Sequence, residues 1–256
     1  LFEREDTKVE LGPTLRKLVT AARFNPSLPY LSFLCINFDA PVVQEAASWF
    51  LDAVFLNYNS SYLERMLEQM LDEGDSREVT RFLRAVDVRI DGFRVERAPE
   101  WRGRRVFVRH EVGGKAYELR LSEESAGTQK LMGLAAYLMA ALECGGTVVV
   151  DELDAKLHPK LLRYVILLFK DPEVNKSGAQ LIFSSQDVST MRNDVFRRDE
   201  IWFAARGEGE ASQLWSLADI HEANGNLVSK NAAFDKQYLS GRYGADPYLT
   251  RIEEWD

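Results

Sequence analysis

The chain has 256 residues, 46% of them hydrophobic, which is enough to bury a real core in one large domain or in a core with a smaller lobe. Its 32 Lys and Arg against 40 Asp and Glu give a formal net charge of −8, which disfavours a protein that coats nucleic acid through net charge alone. Cys35 and Cys144 are the only cysteines; both sit in apolar sequence, read as core residues in a reducing compartment, and supply neither a disulfide framework nor a zinc-ligand set.

A strand over 8–11 is followed by Gly12-Pro13-Thr14 and a helical stretch that ends near the breakers Asn25-Pro26 and Pro29. The apolar run from Tyr30 to Ile36 fits helix or strand equally. From Asp39, with Pro41 as a helix-entry signal, Val43, Ala46, Ala47, Phe50, Ala53 and Val54 recur at the spacing of an amphipathic helix. Asn59 or Ser60 can cap a second helix with the stripe Leu63, Met66, Leu67, Met70 and Leu71. Asp75 with Glu78 gives a capping-box-like start to a third. Residues 39–86 are therefore expected to form a helical lobe, joined to the core by residues 1–38.

After Asp87 the pattern changes to short strands at Val88-Arg89-Ile90, Phe93-Arg94-Val95, Val106-Phe107-Val108 and Tyr117-Glu118-Leu119-Arg120-Leu121, with Gly113-Gly114 as a hairpin turn. A helix over 127–144, a strand over 147–151, a helix over 158–169, and strands over 180–184, 200–205 and 212–217 come next. This alternation over 87–256 predicts an α/β fold: a mainly parallel sheet flanked by helices, with a helical lobe and a small antiparallel portion. No apolar run approaches the ~20 residues needed to span a bilayer, and Leu1-Phe2-Glu3-Arg4 lacks the order of a signal peptide, so a cytoplasmic protein without a membrane partner is expected. A start without Met, running straight into structured-looking sequence, suggests a fragment.

Chemistry concentrates in three places. Thr147-Val148-Val149-Val150 is a β-branched run of the kind buried on both faces of a sheet, and Asp151-Glu152 emerge at its C-terminal end. Ligands of open α/β sheets gather at such ends, which positions Asp151 for Mg²⁺ and Glu152 for a water, although two carboxylates that merely end a strand in solvent would look the same. At Ser125-Ala126-Gly127 the next helix begins; Ser125 can cap it, Gly127 permits close backbone approach, and the bare N–H groups with the helix dipole suit an anion. A capped helix alone would also explain that turn. Gln180-Leu181-Ile182-Phe183-Ser184-Ser185-Gln186-Asp187 is a strand whose polar end can reach the same crevice. Between the sites, His158 reads as a helix cap ahead of Pro159. Arg89, Arg94, Arg97, Arg102, Arg104, Arg105 and Arg109, interleaved with Phe93, Trp101 and Phe107, suit either nucleic-acid phosphates and bases or a solvated strand face; the second is the commoner origin.

In this order the motifs resemble the ATP-binding-cassette superclass of ATPases, specifically the C-terminal half of RecF-like, SMC-like and OLD-like heads, and above all the AAA-type ATPases of bacterial abortive-infection and phage-defence systems. The likeness covers roughly residues 87–247. Ser125-Ala126-Gly127-Thr128-Gln129 matches the signature motif, Val148-Val149-Val150-Asp151-Glu152 the Walker B strand, Asp154-Ala155-Lys156-Leu157-His158 the D-loop, and Ser184-Ser185-Gln186-Asp187 the switch; the Tyr238-Leu239-Ser240-Gly241-Arg242-Tyr243-Gly244 tail is also similar. The resemblance implies ATP and Mg²⁺ as cofactors and a homodimer of heads. Ser125, Ala126, Gly127 and Thr128 would contact the partner protomer's ATP, Asp151 would support the metal, Glu152 would act on the water and Gln186 would sense the γ-phosphate. It also implies a nuclease-type effector, or DNA or RNA, as the controlled partner.

Two departures qualify the resemblance. Gln186 stands where the family has a switch His, and a glutamine cannot take up a proton, so slow or altered hydrolysis is expected. No G-x-x-x-x-G-K-[ST] loop occurs in the chain; Gly114-Lys115 is followed by Ala116 and lies in a hairpin. A non-hydrolysing ATP-gated module, a RecF/SMC-like DNA-repair ATPase and a metal-dependent nuclease using Asp151, Glu152 and Asp154 remain the alternatives.

Overall fold

A computed structural model describes residues 2–5, 8–17, 25, 27–56, 67, 71, 76–86, 90–97, 104–206, 211–222 and 225–245. Strands β1 (Phe2–Glu5) and β2 (Lys8–Leu11) pair antiparallel, with Phe2 opposite Leu11. Helices α1 (Pro13–Arg16), α2 (Tyr30–Asn37) and α3 (Pro41–Asp52) follow, so the ambiguous run from Tyr30 is helical. Leu15, Tyr30, Leu34, Ala40 and Val43 form a small core against which Phe2, Val9 and Leu11 pack.

Helix α3 has Pro41 in its first turn, where the missing N–H costs nothing. Its expected stripe is only partly realised: Val43 is buried, but Phe50 is 55% exposed. Val54, expected to extend the stripe, instead opens β3 (Val54–Leu56), because parallel pairing with β7 (Thr147–Val150) offers its backbone a better set of hydrogen bonds than another helical turn. The stretch expected to form a helical lobe thus also contributes a sheet strand. Most of the helix expected from Asn59 or Ser60 lies outside the described residues, as does Asp75; Leu67 and Leu71 are helical, and Leu67 is buried.

Helix α4 (Ser76–Ala85) buries Val79, Phe82 and Leu83. Strands β4 (Gly92–Arg97), β5 (Arg104–Val112) and β6 (Lys115–Arg120) form an antiparallel sheet. Gly113 and Gly114, at φ 60° and 75°, make the tight turn between β5 and β6, which demands two left-handed residues. Val88 and Arg89 lie outside the described residues, whereas Ile90 is buried.

Helix α5 (Ala126–Cys144) buries Leu131, Leu134, Ala135, Leu138, Ala141 and Leu142, as its periodicity predicts. Gly145, at φ 80°, ends it by donating its N–H to Ala141 O at 2.8 Å. Neither cysteine is a core residue: Cys144, in the last turn of α5, is exposed, and Cys35 is half-buried. An apolar sequence neighbourhood does not determine which side of a helix a residue takes.

Among the described residues the central sheet is parallel and three-stranded, in the order β3-β7-β8, with β8 at Gln180–Phe183. Helix α6 (Pro159–Lys170) shares one continuous core with it, joining Val148 and Val150 to Leu131, Leu138, Leu162 and Val165. The later strands, β9 (Trp202–Arg206) and β10 (Ser212–Ser216), form a separate antiparallel pair rather than extending the parallel sheet. They pack with α7 (Phe234–Leu239) and the tail in a cluster of Ile201, Phe203, Leu217, Val228, Phe234 and Tyr243. Strand β8 has β7 as its sheet partner, and none on its other side among the described residues. A cleft of about 710 Å³ runs there, bordered by Leu181, Phe183, Phe196, Trp202 and Leu214.

Candidate active site

The parallel pairing of β7 and β8, with Val150 level with Phe183, brings their C-terminal ends together. Asp151 continues the ladder, its N–H donating to Leu56 O at 2.8 Å. Glu152 then turns at φ 53°, a left-handed conformation that costs a non-glycine residue ~1–2 kcal/mol and needs external support. Ser184 supplies it. Its Oγ accepts the Glu152 N–H at 2.8 Å and donates to Asp151 Oδ1, while its carbonyl accepts the Leu153 N–H at 3.0 Å. Both carboxylates are exposed, and Leu153 between them and the following turn is fully buried, pinning the segment.

Beyond β8, the Gln186 N–H donates to Asp154 Oδ1 at 3.2 Å, so the switch-like and D-loop-like stretches are bonded to each other. The Gln186 side chain is on an exposed residue. Asp187 is spent locally, accepting the Ser189 N–H at 2.6 Å as the cap of a short 3₁₀ turn. His158 caps α6 through Nδ1, which accepts the Lys160 N–H at 3.1 Å, as the sequence predicts.

Ser125 caps α5 in the expected way, its Oγ accepting the Thr128 N–H at 3.1 Å and lying 2.8 Å from Thr128 Oγ1. Ser125 and Ala126 are exposed, so the positive end of a 19-residue helix dipole faces solvent. The turn is braced from behind: His110 Nε2 lies 2.6 Å from Glu124 Oε1, and Gln129 Nε2 donates to Glu124 O at 2.6 Å. The close approach at Gly127 is to the chain itself, because a Cβ there would lie 2.8 Å from Lys156 O. That contact explains the glycine without a ligand.

Lys130 is the residue the sequence reading passed over. Only 5% exposed, it sends its Nζ to the carbonyls of Glu152, Leu153 and Ala155. The available signal was that it is the sole basic residue of α5, set against the start of the apolar stripe.

Among the described residues no group of three His, Cys, Asp or Glu side chains is placed to hold a metal. The carboxylate cluster that a nuclease reading of Asp151, Glu152 and Asp154 calls for is therefore not assembled among them. Mg²⁺ delivered with a nucleotide has smaller needs, since one or two carboxylates plus phosphate oxygens and waters suffice; the exposed Asp151, oriented by Ser184, fits that role.

On the arginine-rich strands, Arg94 and Arg109 form ion pairs with Glu118. Arg94 donates to Glu118 at 2.7 and 3.0 Å and lies 4.1 Å over the Phe107 ring, and Arg109 is 3.7 Å from Glu118. The Arg94 hydrogen bond holds the Glu118 carboxyl below the usual glutamate range. The side chains of Arg89, Arg97, Arg102, Arg104 and Trp101 lie outside the described residues. Among the described residues no helix is long and apolar enough to cross a membrane.

Residues 23–192 match the family described as "AAA domain, putative AbiEii toxin, Type IV TA system". The match takes in the Ser125 turn, β7, the Glu152 turn and the end of β8, and stops before the β9–β10 pair. No curated protein matches the chain.

Proposed function

The chain belongs to this AAA-domain family of the AbiEii type, and from that premise we propose that it is the C-terminal part of an ATPase head that dimerises around nucleotide to control an effector or a nucleic-acid partner in phage defence. The observation that carries the reading is the joint placement of Asp151 and Glu152 at the end of the central parallel strand, with Ser184 holding both. Mg²⁺ with ATP would supply charge neutralisation at the phosphates, with Asp151 as its protein ligand. Glu152 would orient or deprotonate the attacking water, and Gln186 would sense the γ-phosphate. The start of α5, Ser125 to Thr128, with Ser125 and Ala126 exposed, would face the nucleotide of the partner head. In this reading the loop that grips the nucleotide's own phosphates comes from outside these 256 residues, because the chain contains no G-x-x-x-x-G-K-[ST] sequence. The open side of β8, ending beside Ser184, offers a seat for a parallel strand carrying it.

Replacing Glu152 by Gln in the full-length protein should trap ATP-bound dimers and stop phosphate release; turnover unchanged by the substitution would sink the assignment. Gln186 supports a second reading, a non-hydrolysing ATP-gated module. ATP-driven dimerisation with no phosphate release above the Glu152→Gln background would select it.

A further inference from the structure

Lys130 has all three of its ammonium donors committed to one turn of backbone: Glu152 O at 2.7 Å, Ala155 O at 2.9 Å and Leu153 O at 3.1 Å. Burial lowers its pKa from the ordinary lysine value, against the opposing pull of Asp154 and Glu152. A buried cation is retained at a cost in desolvation, and a packing role alone would be met by the Leu or Met that fill the rest of α5. What the ammonium adds is a grip on three carbonyls at once. The turn it grips is bounded by two residues in left-handed conformation, Glu152 at φ 53° and Lys156 at φ 61°. The same helix start touches this turn again where Gly127 meets Lys156 O. Ser125 and Lys130 are five residues apart on one rigid helix end, about 7.5 Å along its axis. The helix start and the turn that begins at Glu152 are thus joined at two points, by the Lys130 bonds across 22 to 25 residues of sequence and by the contact of Gly127 with Lys156 O.

We propose that Lys130 is a positioning residue that couples the two half-sites of one chain, transmitting engagement of the Ser125 helix start into the placement of the Glu152 carboxylate. The proposal rests on the ATPase reading above. A phosphate drawing on the N–H groups of Ala126 and Gly127 shifts the end of α5, and the ammonium carries that shift into the backbone from which Glu152 projects. Without the ammonium, nucleotide still closes the dimer, but Glu152 no longer follows.

The test compares Lys130→Met and Lys130→Gln with wild type in the full-length protein. The measurements are kcat and KM for ATP, ATP-driven dimerisation, and amide hydrogen exchange over 152–157 without nucleotide. The expected result is a fall in kcat of at least about ten-fold with KM and dimerisation within about two-fold, and faster exchange confined to 152–157. A kcat within about two-fold of wild type, or unchanged exchange, overturns the proposal. Parallel losses in dimerisation and kcat, or failure of both variants to fold, assign Lys130 to packing and overturn it as well. A wild-type protein that releases no phosphate overturns the ATPase reading and the catalytic coupling with it, an outcome read before either variant is examined.

Discussion

Ser184 uses one hydroxyl in two directions, accepting from the Glu152 N–H and donating to Asp151, and so ties the Asp151 carboxylate to the main chain of Glu152. Ser184→Ala removes both bonds at an exposed position, where water replaces part of the loss. The expected destabilisation is about 1 kcal/mol, seen as a lower denaturation midpoint with an unchanged slope. At the neighbouring position, Asp151→Asn in the full-length protein should raise the Mg²⁺ concentration for half-maximal turnover by at least about ten-fold, measured by metal titration of phosphate release. Tyr243 allows a prediction about pH. Burial pushes its pKa from 10.0 to about 12, and its hydroxyl donates to Gln237 Oε1 at 2.7 Å. A group whose folded pKa is raised stabilises the fold fully below its unfolded pKa and loses that contribution as pH rises through the folded value. The window is therefore pH 10 to about 12. Alkaline unfolding monitored by tyrosinate absorbance should show a component in that window that Tyr243→Phe removes.

The residues legible in the sequence are those whose chemistry is local. Ser125 and His158 cap the helices that begin beside them, and Asp151 and Glu152 end a strand recognisable from its own four residues. The role of Lys130 was not legible, and for Ser184 only its place at the polar end of β8 was; their bonds reach partners 22 to 33 residues away, which exist only once α5, β7 and β8 have packed.

Among the elements, α5 was readable from a strong period of buried positions, whereas β3 was not. A strand of three residues carries almost no periodicity, and its identity depends on lying beside β7. The split between three parallel strands and the β9–β10 pair was hidden for a similar reason, since an apolar run does not reveal the direction of its neighbour. Two substitutions probe α5. Gly127→Ala gains about 1 kcal/mol in helix propensity but drives a methyl against the Lys156 carbonyl. That oxygen is backbone in a turn already clamped by Lys130, so the net expectation is a loss of ~1–3 kcal/mol in thermal unfolding. Leu138→Ala in the middle of the helix should cost about 2–5 kcal/mol, because the fully buried site is enclosed by core on all sides and cannot collapse freely.

On the scale of the whole molecule, the described residues form three apolar clusters. The main one unites α4, α5, α6 and the parallel sheet, a small one organises the N-terminal hairpin and helices, and a third ties the tail to β9 and β10. Phe203 stacks on Tyr238 at 5.8 Å, and Trp215 Nε1 donates to Tyr243 O, so the tail has a packing role. The candidate site draws on the main cluster alone. The edge of β8 has a consequence of a different kind. A strand reading Gln-Leu-Ile-Phe, with Ile182 49% exposed, has no partner on its outer side among the described residues and borders an apolar cleft, and such a rim is a template for adding strands. In nucleotide-free solution the isolated 256-residue chain should therefore grow in mass with concentration despite its net charge of −8, and Ile182→Lys should hold it at the monomer mass by sedimentation. On that expectation, four residues of sheet edge outweigh the electrostatics of the surface in setting its colloidal behaviour.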